Sequence, residues 1–85
     1  MADSVSIAQE IETELRKAIT YLTGDDDLMK ADPKTPFKDL GLDSMMAIEI
    51  MAVLEKKFKI ELQEKDVVRF TTIEATVKIL LDYMK

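Results

Sequence analysis

The chain has no histidine, no cysteine and no tryptophan among its 85 residues. Without histidine there is no imidazole base, and without cysteine no thiolate nucleophile; with both missing there is no zinc-type ligand set. The lack of cysteine also excludes a disulfide framework. Only two glycines and two prolines stand against 47% apolar residues, a balance that describes a helix-rich globule rather than a disordered tail. No apolar run is long enough for a membrane span and none at the N-terminus reads as a secretory signal, so a cytoplasmic location is expected. A chain of 85 residues suits one domain, 1–85, with one modest core; a deep catalytic cleft, and so an enzyme acting alone, is not expected. A monomer is.

Charge is also lopsided. Residues 1–43 hold ten acids and five bases, and residues 44–85 hold seven of each, so the whole net charge of −5 precedes Ser44. An acidic chain with no basic stripe is a poor match for nucleic acid or an anionic membrane. It suits protein partners with basic docking patches, although acidity also serves solubility alone. The run Asp25-Asp26-Asp27 lacks the Gly and Glu that a calcium loop needs at set positions, so no metal site is assigned.

Apolar spacing predicts an all-α fold. Ile7, Ile11, Leu15, Ala18 and Leu22 recur three or four apart and mark a first helix over about 4–22. Asp3 and Ser6 (with Gln9 completing a capping box) compete as its cap, and Gly24 ends it. Residues 23–43 form a long loop in which two X-Pro steps oppose helix; Phe37, Leu40 and Leu42 are spaced to pin its second half to a core. A second helix is predicted over 44–58, a short third over 64–69 that brings Val67, Val68 and Phe70 together, and a fourth over 72–84. Capping-box spacing between Thr71 and Glu74 starts the fourth, with Ile73, Val77, Leu80, Leu81 and Met84 as its buried stripe. The expected architecture is a small four-helix bundle, three longer helices and one short.

One serine stands apart. Ser44 is the only serine after residue 6, and it sits where the long loop becomes the second helix. Asp43-Ser44 has an ordinary reading, since both types cap helices by accepting from free N–H groups of the first turn. The same end favours an anion, so a cap and an attachment point for a phosphodiester are compatible. On the helix that follows, Ala47, Ile50, Met51, Leu54 and Phe58 fall on one side at ~100° per residue and are expected in the core. Glu49 and Lys56 lie opposite, yet Met45, Met46, Ile48, Ala52 and Val53 lie on or beside that outer side. Ten of the fourteen residues 45–58 are apolar, more than one core contact requires. The excess is either deeper burial or a binding surface, and methionine suits partners of varied shape.

Gly41-Leu42-Asp43-Ser44-Met45, followed by apolar residues and Glu49, resembles the phosphopantetheine attachment motif of acyl carrier proteins. The resemblance continues through Phe37 and Leu40 ahead of the serine, Glu55–Phe58 with Ile60-Glu61-Leu62, and Thr71-Thr72-Ile73. It implies that a phosphopantetheinyl transferase attaches 4′-phosphopantetheine from coenzyme A to Ser44. It further implies acyl cargo carried as a thioester, a core able to admit that cargo, and ketosynthases and acyltransferases as partners. Asp43, Met45, Met46, Glu49 and Lys56 are then the expected partner surface, with the methionines giving apolar contact and Glu49 meeting a basic residue. Met46, Lys56 and Lys57 stand where general fatty-acid carriers tend to have polar or acidic residues, which suggests a specialised lipid or polyketide pathway. An aminoacyl or peptidyl carrier, or an acidic interaction module in which Ser44 is only a cap, are the competing readings.

Overall fold

The structure, a computed structural model, describes residues 3–84, with side chains from residue 7 onward. Three α-helices, α1 (Asp3–Thr23), α2 (Ser44–Phe58) and α3 (Ile73–Tyr83), are joined through 3₁₀ turns at Asp26–Lys30, Phe37–Leu40 and Glu64–Arg69. The fold is all-α, with no strand among the described residues. The short member of the bundle, Glu64–Arg69, is 3₁₀ in geometry, and α3 is the helix expected as the fourth. The caps considered on Asp3 and Ser6 involve side chains outside the described residues.

The core forms where the three apolar stripes meet. α1 contributes Ile11, Leu15, Ala18 and Ile19, with Ile7 and Leu22 half-buried against them. α2 contributes Ala47, Ile50, Met51 and Leu54, with Phe58 at the margin. Burying each large side chain contributes ~1.5–3 kcal/mol before entropy is counted. In α3 the buried face differs from the expected stripe. Ile73, Thr76, Ile79 and Leu80 are buried, while Val77, Leu81 and Met84 are only half-buried. Apolarity alone passes over Thr76, but its hydroxyl donates to the Thr72 carbonyl at 2.9 Å. A threonine satisfied in this way can face the core.

The cap of α3 also shifts by one residue from the expected Thr71–Glu74 box. Thr72 Oγ1 accepts from the Ala75 N–H at 3.0 Å. Thr71 is occupied elsewhere, its carbonyl accepting from the Phe37 N–H at 2.8 Å, and the Glu74 N–H donates to the Pro33 carbonyl at 3.0 Å. These two bonds fasten the loop ahead of Ser44 to the start of α3. Phe37 and Leu42 are buried and Leu40 half-buried, so the second half of the loop is held by apolar contact as well.

Arg16 on α1 holds the first half. Its Nη1 donates to the carbonyls of Met29 at 2.9 Å, Ala31 at 2.8 Å and Leu28 at 3.4 Å. Its Nε and Nη2 engage Glu12 Oε2 at 3.0 and 2.8 Å. One guanidinium thus gathers carbonyls at the end of the first 3₁₀ turn, for which its planar fork of donors is suited, although the Leu28 carbonyl also accepts from the Ala31 N–H at 3.2 Å. After α2, Lys59 adopts a left-handed φ of 57°. Glu55 organises the exit, its carbonyl accepting from Ile60 N–H at 3.1 Å and its carboxylate from Leu62 N–H at 2.7 Å.

In the short segment, Phe70 is buried and Val67 half-buried, but Val68 is 78% exposed and does not join them. The tight three-residue turn places Asp66 inward instead, at 2% exposure.

Candidate functional site

The approach to Ser44 is shaped by three neighbours. Gly41 takes a left-handed φ of 84°, which reverses the chain at the end of the Phe37–Leu40 turn at little steric cost for glycine. Leu42 then plugs into the core at 7% exposure. Asp43 is extended and is the N-cap of α2, its Oδ1 accepting from the Met46 N–H at 2.9 Å. Its carbonyl accepts the first helical bond, from Ala47 N–H at 3.0 Å.

Ser44 is therefore the first helical residue rather than the cap, and it is exposed. Since Asp43 supplies the capping oxygen, the Ser44 hydroxyl is not needed to satisfy the first turn. It sits at the positive end of the helix, where an anionic substituent is favoured by ~0.3–1 kcal/mol. An exposed, uncommitted hydroxyl beside a cap fits a phosphodiester linkage, because nothing around it must be displaced.

Outward from Ser44, Met45 is 72% exposed, Ile48 50% and Val53 47%, and Glu49, Ala52 and Lys56 are exposed with them. The excess of apolar residues on α2 is thus surface, not deeper core. Met46 departs from expectation: it is half-buried and packs against the core. It stands four residues before Ile50, hence next to the buried stripe, and only part of it faces outward. Lys57 also has a structural tie, its Nζ lying 3.9 Å from Glu14 Oε1 on α1.

Other charged residues have local roles. Asp25 Oδ1 accepts from Asp27 N–H at 3.0 Å, and Asp32 Oδ1 from Lys34 N–H at 2.8 Å. Among the described residues no group of three or more acids could hold a metal ion, and no helix is long and apolar enough to cross a membrane. Asp66 was not singled out from the sequence. Its carboxylate accepts from the Tyr83 hydroxyl, from Gln63 N–H at 3.2 Å and from Arg69 Nη1 at 3.3 Å. The Tyr83 bond above all holds the carboxyl below the usual aspartate range, against burial that pushes it up. The same bond, then desolvation, raises the Tyr83 hydroxyl above its ordinary value. Seventeen residues separate the pair, and no local spacing signals it.

Residues 6–80 match the family described as "Phosphopantetheine attachment site". An acyl carrier protein of Campylobacter lari is 31% identical over 67 residues, which are 79% of this chain and 86% of that protein. A chloroplastic acyl carrier protein of Brassica napus is 33% identical over 79 residues, 91% of this chain and 59% of that protein. Mellein synthase of Phaeosphaeria nodorum is 26% identical over 74 residues, 87% of this chain but 4% of the synthase. With a family match over residues 6–80 on a helical frame that presents an exposed serine at the head of α2, the chain belongs to the phosphopantetheine-binding carrier proteins, which bear 4′-phosphopantetheine and are not themselves catalysts.

Proposed function

We propose that Ser44 is the attachment point and that the chain is an acyl carrier, serving fatty-acid, specialised lipid or polyketide enzymes in the cytoplasm. The supporting observation is the division of labour at the head of α2. Asp43 caps the helix while the Ser44 hydroxyl stays exposed and uncommitted. When bound, 4′-phosphopantetheine supplies a thiol that holds acyl groups as thioesters. Ser44 contributes the oxygen of the phosphodiester, and this chain has no imidazole to take its proton.

The exposed stripe of Met45, Ile48 and Val53, flanked by Glu49 and Lys56, supports α2 as the surface for the transferase, ketosynthases and acyltransferases. Apolar contact gives adhesion there, and the charges select among partners. Lys56 supports a specialised rather than general fatty-acid pathway, because it disfavours a wholly basic docking patch. Incubation with coenzyme A and a broad transferase, followed by intact mass, tests the attachment. No mass gain would leave the family fold without the proposed use. Intact mass of protein drawn from its native cell would report the cargo.

A further inference from the structure

We propose that the trough between α1 and α2 is a second docking surface, whose occupant is a short amphipathic helix of a partner enzyme with acids at one end of its apolar stripe. The trough stands on geometry alone; assigning the helix to an enzyme that uses the tethered group rests on the carrier reading above.

Between the two helices lies a hollow of about 340 Å³ whose apolar lining is Ala18, Tyr21, Leu22 and Val53. A second hollow, lined by Val53, Lys56 and Lys57, adjoins it at the shared valine. Tyr21 is 86% exposed, and its hydroxyl makes no hydrogen bond among the described residues. A large ring left in water at the rim of an apolar hollow is suited to anchor a protein interface. The trough thus turns away from the outer stripe of α2, onto a face that α1 completes.

Its two ends differ in charge. At one end Glu14 lies 3.8 Å from Lys17 Nζ and 3.9 Å from Lys57 Nζ, while Lys56 has no ion pair among the described residues. One acid against three bases leaves this end positive, on a chain whose net charge is −5. Glu49 lines the hollow as well and has no ion pair among the described residues. It stands eight residues before Lys57 on α2, about 12 Å along the axis, so the far end is negative.

A helix of about two turns spans that distance. Its apolar stripe covers Tyr21, Leu22 and Val53, its acids meet Lys17, Lys56 and Lys57, and a base meets Glu49. A wholly basic helix, the simple match for an acidic chain, is repelled at the lysine end. A second copy of this chain is a poorer occupant, since it brings another −5 of charge.

The test uses the Ser44→Ala chain and a synthetic helical peptide with a leucine stripe, glutamates in its first turns and a lysine in its last. In a titration followed by backbone amide NMR, shift changes should cluster at 14–22 and 49–57. A peptide with lysines in place of the glutamates should bind about 3–30-fold more weakly at low ionic strength. Tyr21→Ala should weaken the acidic peptide at least about 5-fold. Lys56→Glu, which removes no apolar contact from the hollow beside Tyr21, should weaken the acidic peptide and strengthen the basic one. Shift changes confined to Met45 and Ile48, equal affinity for the two peptides, or unchanged binding in Tyr21→Ala would overturn the proposal. Concentration-dependent self-association in sedimentation, abolished by Tyr21→Ala, would overturn it by giving the face to a second copy. Because Ser44→Ala carries no attachment serine, these outcomes are separate from success or failure of the coenzyme A–dependent mass gain.

Discussion

The Oδ1 of Asp43 accepts the N–H of Met46 at 2.9 Å, and this bond caps α2 without calling on the hydroxyl of the adjacent Ser44. Ser44→Ala should abolish the coenzyme A–dependent mass gain while shifting stability by less than ~0.5 kcal/mol, as for an ordinary surface change. Asp43→Ala should cost ~0.5–2 kcal/mol. Intact mass and urea denaturation check both. Modification that persists in Ser44→Ala would remove the serine from its proposed role.

Arg16 gathers three carbonyls of the first loop, so its loss should loosen that loop more than the helix that carries it. Arg16→Met keeps much of the stem but no donor, and should destabilise the protein by ~1.5–3 kcal/mol. New proteolytic cuts should appear within 25–32. Lysine should rescue only in part, because an ammonium does not reproduce the fork. Full rescue by Arg16→Lys would show that charge alone holds the loop.

The Asp66–Tyr83 bond makes stability depend on pH at both ends. The Asp66 carboxyl is held below its ordinary value, so its contribution is complete above about pH 4 and is lost as pH falls through the lowered value. The Tyr83 hydroxyl is raised; its contribution is complete below about pH 10 and is lost as pH rises through the raised value. Arg69 and Lys65 on the segment and Asp82 on α3 also line this site. The difference in urea midpoint between wild type and Asp66→Asn should be level near neutrality and shrink in acid. A difference that does not vary with pH would show that Asp66 does not titrate as the geometry requires.

Lys56 and Lys57 separate cleanly by structure. Lys57 lies 3.9 Å from Glu14, so Lys57→Glu places two acids together and should cost up to ~1 kcal/mol. Lys56→Glu should leave stability unchanged while improving turnover by general fatty-acid enzymes and weakening use by the cognate pathway. Kinetics at low ionic strength, where surface charge is least screened, decide the matter. Unchanged preference would move selectivity to the loop before Ser44 or to the Glu64–Arg69 segment.

The helices were legible because each carries an apolar stripe at its own period, and α2 because Asp43-Ser44 marks its start. What escaped the sequence depended on partners distant along the chain. Thr71 and Thr72 are equivalent as local caps, and the Phe37 N–H on the Thr71 carbonyl belongs to the arrangement that seats Thr72 as the cap. Thr76 looks like a surface residue until its hydroxyl is paired within its own helix. No local spacing marks Arg16 or Asp66, and only the folded chain brings carbonyls to one and a phenol to the other. At the site itself, Met45, Glu49 and Lys56 could be placed outside by helical angle alone. Met46, at the border of two faces, could not.

The bonds from Phe37 to Thr71 and from Glu74 to Pro33 carry a consequence for the order of events during synthesis. They join positions 34 and 41 residues apart, and closing such spans is slow relative to local helix formation. While residues beyond 70 are still unsynthesised, Ser44 is already present in the chain, but the turn that presents it has no Thr71 or Glu74 to rest on. The turn that presents Ser44 is thus framed only after Thr71 and Glu74 have been made, even if α2 itself has already formed.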